Sequence, residues 1–138
     1  MLPLIYQEIT DLDLSKNLSL ERLYLRNNQL TRLDVTKNLS LISLYLDNNQ
    51  ISGLDLSLNT NLEDLIINTN GLTEIDLSNN SSLINLQCND NQLTSIDISK
   101  NPNLNSILVS RNQITNIDVS QNVLKTFQCQ GNPLTCIQ

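Results

Sequence analysis

Six times along the chain an aliphatic residue is followed by an aspartate, and the pairs stand 21 positions apart: Leu12-Asp13, Leu33-Asp34, Leu54-Asp55, Ile75-Asp76, Ile96-Asp97 and Ile117-Asp118. A unit this short cannot close a core by itself. It buries its apolar side only by stacking on the next unit. The period therefore predicts an elongated stack of coils, with chemistry spread along a repeating surface instead of gathered in one cleft. Binding is favoured over catalysis.

The composition supports such a stack. Apolar residues make up 39% of the 138, nearly all Leu, Ile or Val, with one Phe and no Trp. About six apolar side chains per coil point inward, and each contributes roughly 1.5–3 kcal/mol on burial. The chain reads as one domain over 1–138, with a partial N-terminal repeat at 1–11 and repeats starting at 12, 33, 54, 75, 96 and 117.

The alternation around Leu23-Tyr24-Leu25 predicts a short strand with Tyr24 facing out. Stacked strands form a parallel sheet on the concave side. An Asn recurs at the following bend (Asn28, Asn49, Asn70, Asn91, Asn112, Asn132). Its amide both donates and accepts, so a buried Asn there can satisfy the backbone of adjacent coils. About ten residues remain for the return path, too few for a full helix and two turns. An extended or 3₁₀ convex side with little α-helix is expected. A second Asn column (Asn17, Asn38, Asn59, Asn80, Asn101, Asn122) marks the turn that follows it.

In the fifth coil the middle reads Leu104-x-x-Ile107-x-Val109-x-x-Asn112-x-Ile114. The same register holds in Leu20/Leu23/Leu25/Asn28/Leu30 and, with one residue deleted, in Leu124/Phe127/Cys129/Asn132/Leu134. This L-x-x-L-x-L-x-x-N-x-L pattern resembles the leucine-rich repeats over residues 12–138. The resemblance implies a curved leucine-rich-repeat solenoid with a parallel β-sheet on its concave face.

The ends lack obvious polar caps. Leu2, Leu4 and Ile9 fall on core positions with Gln7 in the place of the Asn, and Ile137 starts a seventh coil. This suggests a module of a longer protein, or one that pairs end to end as a homodimer. Met1 to Gln7 lacks the basic and long apolar regions of a signal peptide. No apolar run reaches 18 residues, so no membrane insertion is expected. The net charge is −6, without a Lys/Arg cluster, which argues against nucleic acid. Cys88 and Cys129 occupy the same strand position two coils apart, about 10 Å at the strand spacing, too far for a disulfide. Both replace a core aliphatic. Cys136 is expected to be an exposed thiol.

Outward positions of the sheet are the candidate site. One column runs Tyr24, Tyr45, Ile66, Gln87, Leu108, Gln128, flanked by columns beginning Arg22, Ser43, Asp64 and Arg26, Asp47, Asn68. Tyr and Arg supply large contact area with polar tips. Tyr24, Tyr45, Ile66, Arg22, Arg26, Asp47 and Asp64 are the expected ligand contacts, for a protein or glycan. The tyrosines alternatively only pack on each other as sheet neighbours.

The Asp column repeats a carboxylate about every 4.8 Å. Its simplest reading is Asx-type turns with Ser15, Thr36, Ser57, Ser78, Ser99 and Ser120; a calcium row is the sharper alternative, thin with one Asp per coil. No cofactor and no metal site is expected. The chain has no His, no nucleophile elbow, no P-loop and only three Gly, so enzyme activity is not expected. Asn17-Leu18-Ser19, Asn38-Leu39-Ser40 and Asn79-Asn80-Ser81 match glycan acceptor triplets, but the repeat itself explains them.

The short repeat with I-D-[LIV]-S-x-N on its return path resembles the internalin-J-type repeats of Gram-positive adhesins and repeats of secreted Bacteroidota proteins. That resemblance implies a bacterial surface or secreted adhesion and recognition module. An intracellular protein-interaction module and a consensus-like designed scaffold are the alternatives the sequence leaves open.

Overall fold

The computed structural model describes residues 2–137, with side chains described over 4–135. Among the described residues there are nine short strands: β1 (Leu2–Pro3), β2 (Arg22–Tyr24), β3 (Ser43–Tyr45), β4 (Asp64–Ile66), β5 (Asn85–Gln87), β6 (Ser106–Leu108), β7 (Asn116–Ile117), β8 (Thr126–Gln128) and β9 (Cys136–Ile137). Seven form one parallel sheet in the order β1-β2-β3-β4-β5-β6-β8. Register follows the repeat: Leu23 pairs with Leu44, Leu44 with Leu65, Leu65 with Leu86 and Leu86 with Ile107. The last step is Ile107 to Phe127, absorbing the deleted residue. The chain is thus a parallel β-solenoid, and among the described residues it contains no helix.

The core is the inward row the period predicts. Leu23, Leu44, Leu65 and Leu86 are wholly buried, as are Leu25, Leu46, Ile67 and Cys88 in the next inward position. Cys88 fits there because a neutral thiol packs like a small aliphatic. Cys129 holds the same position in the last coil and is half-buried, and both thiols are free. The side chain of Cys136 lies outside the described residues.

Strands β2 to β6 and β8 stop after three residues because an inward-turned Asn bends the chain. Asn49 accepts the Leu30 N–H on Oδ1 at 3.1 Å and donates from Nδ2 to the carbonyls of Leu25 (2.9 Å) and Leu46 (3.0 Å). Asn70 then donates to that same Leu46 carbonyl at 3.0 Å. Consecutive asparagines therefore share carbonyls, and the bend becomes a continuous zipper through the stack.

The convex side is extended and turned, the 3₁₀ alternative not being used. Two β-turns share a corner in the first five full coils, as where Asn38 N–H donates to Val35 O at 3.0 Å and Leu41 N–H to Asn38 O at 3.1 Å; the last coil, one residue shorter, keeps only the first turn. The second Asn column sits at this corner and does more than mark a turn. Asn38, Asn59, Asn80 and Asn101 are fully buried. Asn59 Nδ2 donates to Val35 O (3.1 Å) and Asn38 O (3.0 Å), and the other asparagines repeat this one coil apart. The chain thus has two buried amide zippers, one on each side of the core. At the C-terminal end β7 and β9 form a separate two-stranded parallel sheet.

Candidate binding face

Outward residues of the seven-stranded sheet come from strand positions that alternate with the buried leucines. Tyr24 and Tyr45 are in register on β2 and β3. Their rings stack with centroids 4.7 Å apart and planes 26° apart. The Arg26 guanidinium carbon lies 4.5 Å from the Tyr45 ring centre, a cation–π contact. The Tyr45 hydroxyl is pushed above its ordinary pKa, first by partial burial, then by Asp64 and Tyr24; Arg26 and Arg22 pull the other way.

Arg26 and Asp47 are turned toward one another, with Nε 2.8 Å from Oδ2. The other oxygen of Asp47 accepts the Asn68 backbone N–H at 3.1 Å and its amide at 2.8 Å. Asn68 Oδ1 accepts the Asn89 N–H, and Asn89 Oδ1 the Ser110 N–H, each at 2.8 Å. Ser110 Oγ donates to Gln130 at 2.7 Å. A third polar ladder thus runs across the sheet face from Arg26 to Gln130. Sequence reading took its first two members as contacts and missed the ladder. The signal was present in Asp47, Asn68 and Asn89, which place a side-chain oxygen at one position of three consecutive coils.

The remaining expected contacts fall around this cluster. Arg22 is exposed, 3.8 Å from Glu21. Asp64 accepts the Ser43 hydroxyl at 3.1 Å. Ile66 faces the same side but is only 3% exposed. It forms the floor of a shallow groove of about 380 Å³ between Arg26, Asn48, Asn68, Thr69 and Gln87. Tyr24, Tyr45, Arg26 and Asp47 are thus one connected cluster, Arg22 and Asp64 lie beside it, and Ile66 lies beneath.

A wider groove of about 470 Å³ lies on another face, among Gly53, Glu74 and Ser95. It carries no aromatic or cationic side chain, so the sheet face is the better-equipped surface. The Asp column, also away from the sheet, is spent on turns. Each Asp Oδ1 accepts the N–H two residues on, at 2.8–2.9 Å, from Ser15, Thr36, Ser57, Ser78, Ser99 and Ser120. Those Ser/Thr hydrogen bonds hold all six carboxyls below their ordinary pKa. Among the described residues, no group of three His, Cys, Asp or Glu is placed to hold a metal ion. Among the described residues, no helix is long and apolar enough to cross a membrane.

Neither a family model nor a curated protein matches this chain. Solved structures do. The functional domain of InlJ from Listeria monocytogenes, which includes a cysteine ladder, is 28% identical with a TM-score of 0.57, covering 99% of this chain and 40% of that one. A leucine-rich-repeat protein of Leptospira interrogans is 20% identical at a TM-score of 0.66, covering 85% and 38%. The leucine-rich-repeat domain of APL1B is 24% identical at a TM-score of 0.72, covering 95% and 47%. The latter two share the fold. The architecture is that of leucine-rich-repeat proteins, with bacterial ones among its neighbours, and the chain spans less than half the length of each. In this chain Cys88 and Cys129 stand at one strand position two coils apart, with Val109 between them.

Proposed function

We propose that this chain is a non-catalytic binding module that recognises a protein or glycan with the concave sheet face, as part of a bacterial surface or secreted adhesion protein. The observation carrying this reading is the stacked Tyr24–Tyr45 pair, braced by Arg26 on an otherwise polar sheet. Prearranged aromatic and guanidinium groups lose little freedom on binding, the property that makes such residues hot spots. Likeness to the InlJ functional domain supports the surface setting.

The test is a glycan array and a host-surface pull-down with the wild type beside a Tyr24→Ala/Tyr45→Ala double variant. Binding by the wild type that disappears in the variant is the expected result. Equal binding by both, or by neither, refutes the sheet-face reading. A second reading, an intracellular protein-interaction module, draws on the unpaired thiols Cys88 and Cys129. Binding to cytosolic extract but not to whole cells favours it. Copies also pair end to end in this reading, through a last coil whose core residues Leu124, Phe127 and Leu134 are only partly buried. Light scattering over a concentration series reads that association.

A further inference from the structure

The groove of about 470 Å³ on the flank of the stack has a floor made of core residues. Leu33, Ile96 and Ile117 of one inward column are buried. Leu54 and Ile75 of the same column are only half-buried, as is Leu12 at the end of the stack. The position just before this column runs Asp11, Arg32, Gly53, Glu74, Ser95 and Asn116. Gly53 puts no side chain over the floor, and a Cβ built there meets nothing within 4 Å.

The rim is acidic. The ion pairs among the described residues join Arg22, Arg26, Arg32 and Arg111 to Glu21, Asp47, Asp11 and Asp90, and leave the exposed Glu74 out. Asp76 and Asp97 accept the turn N–H groups of Ser78 and Ser99 on Oδ1, each at 2.9 Å, and Oδ2 takes no part in those bonds. The Ser78 bonds hold the Asp76 carboxyl below its ordinary pKa against desolvation and the like charges of Asp55 and Asp97. In other coils a lysine follows the Asp three residues on, at Lys16, Lys37 and Lys100. After Asp55 and Asp76 that place holds Leu58 and Asn79.

Nearer the N-terminus the same repeat positions form another groove, of about 390 Å³, and there the chain supplies its own cation. Arg32 lines it beside Leu12, Leu33, Asp13 and Asp34, with Nε 3.7 Å from Asp11. A long basic side chain suits such a place, because its apolar stem covers aliphatic surface while its charged head stays at the wet rim. The wider groove has the same aliphatic floor and acidic rim, and Gly53 where the arginine would be.

We propose that the Gly53 groove is an interaction surface apart from the sheet face, and that it takes an arginine or lysine side chain from a basic segment of a partner protein. The stem lies over Leu54 and Ile75 and the head meets Glu74 and Asp76. Exposed ion pairs are individually weak, so a free amine is poorly held. A cation carried on a chain is held by its neighbours' contacts as well. The proposal is independent of the sheet-face reading.

The probe is a displayed library of short linear peptides selected on the wild-type chain. Selected peptides are measured on Gly53→Arg, Glu74→Gln and the Tyr24→Ala/Tyr45→Ala variant, with a melting curve for each and with spermidine as a free-amine comparison. Gly53→Arg gives the groove the residue its column already carries at Arg32. The expected result is peptides rich in Arg or Lys that keep their affinity on the tyrosine variant. They lose about tenfold on Gly53→Arg and about threefold on Glu74→Gln, the worth of one exposed ion pair. Unchanged affinity on either flank variant that melts like the wild type overturns the proposal. Binding lost on the tyrosine variant alone leaves the sheet-face reading standing and removes this one. Peptides without Arg or Lys, or no peptide at all, overturn it too. Spermidine that binds the wild type as tightly as the peptides makes the groove a free-amine site and overturns the partner class.

Discussion

Replacing Asn91 by alanine tests the bend zipper. Asn91 is buried, accepts the Leu72 N–H at 3.1 Å, and donates to the carbonyls of Ile67 (2.9 Å), Cys88 (3.2 Å) and Asn89 (3.2 Å). The Ile67 and Cys88 carbonyls keep a second amide donor, from Asn70 and Asn112 respectively. The Leu72 N–H keeps none. An orphaned buried donor costs about 1–3 kcal/mol, and the lost amide bonds add about 0.5–1.5 kcal/mol. We expect Asn91→Ala to cost about 3 kcal/mol, a large share of the roughly 5–15 kcal/mol typical of a domain.

Urea unfolding followed by far-ultraviolet circular dichroism reads the loss, and the m-value reports whether the stack still opens as one unit. Asn61→Ala is the control. Its amide donates to the Leu39 carbonyl on the exposed surface, and its removal should cost within about 0.5 kcal/mol. Asn91→Asp separates the two halves of the amide, since it keeps the acceptor but aims a carboxylate at carbonyls. Burial would raise that carboxyl's pKa, so the variant's stability is greatest below the usual carboxylate range and is lost as pH rises. If Asn91→Ala stays within about 0.5 kcal/mol of wild type, the zipper does not satisfy the bend and the reasoning fails.

The six turn aspartates have folded-state pKa values below their ordinary ones through Ser/Thr hydrogen bonds. Their contribution is present above the usual carboxylate range and lost as pH falls through it, so Tm should hold steady to about pH 5 and drop below about pH 4. A melting temperature that rises on acidification contradicts this. Thr69→Asn should stabilise the chain by about 1 kcal/mol, measured by urea unfolding, because it relieves a left-handed β-branched residue. Burial pushes the Cys88 thiol up to about 12, so iodoacetamide at mildly alkaline pH should modify it only as fast as the stack opens. Rapid labelling in the native state, read by mass spectrometry, would place Cys88 outside the core.

The solenoid was legible before any coordinates. A strict 21-residue period leaves stacking as the way to bury one apolar row per unit, and Leu23, Leu44, Leu65 and Leu86 occupy that row. The Asn28 column was legible for a related reason: a buried bend needs a side chain that donates and accepts, and Asn recurs where the alternation ends. The Asp column was equally readable as turns, because its Ser/Thr partner stands two residues on in every coil.

What only the tertiary structure decided lies between coils. That Asn59 reaches back to Val35 and Asn38, that Arg26 pairs with Asp47, and that Thr69 stands over a groove all depend on contacts about 20 residues apart in sequence. A single coil read alone gives each of these residues an outward or turn position and nothing more. Period determines which residues share a column, since backbone geometry repeats with it. Which neighbours in a column bond, stack or leave a gap depends on side-chain reach across the strand spacing, and that is settled only when the coils are laid on one another.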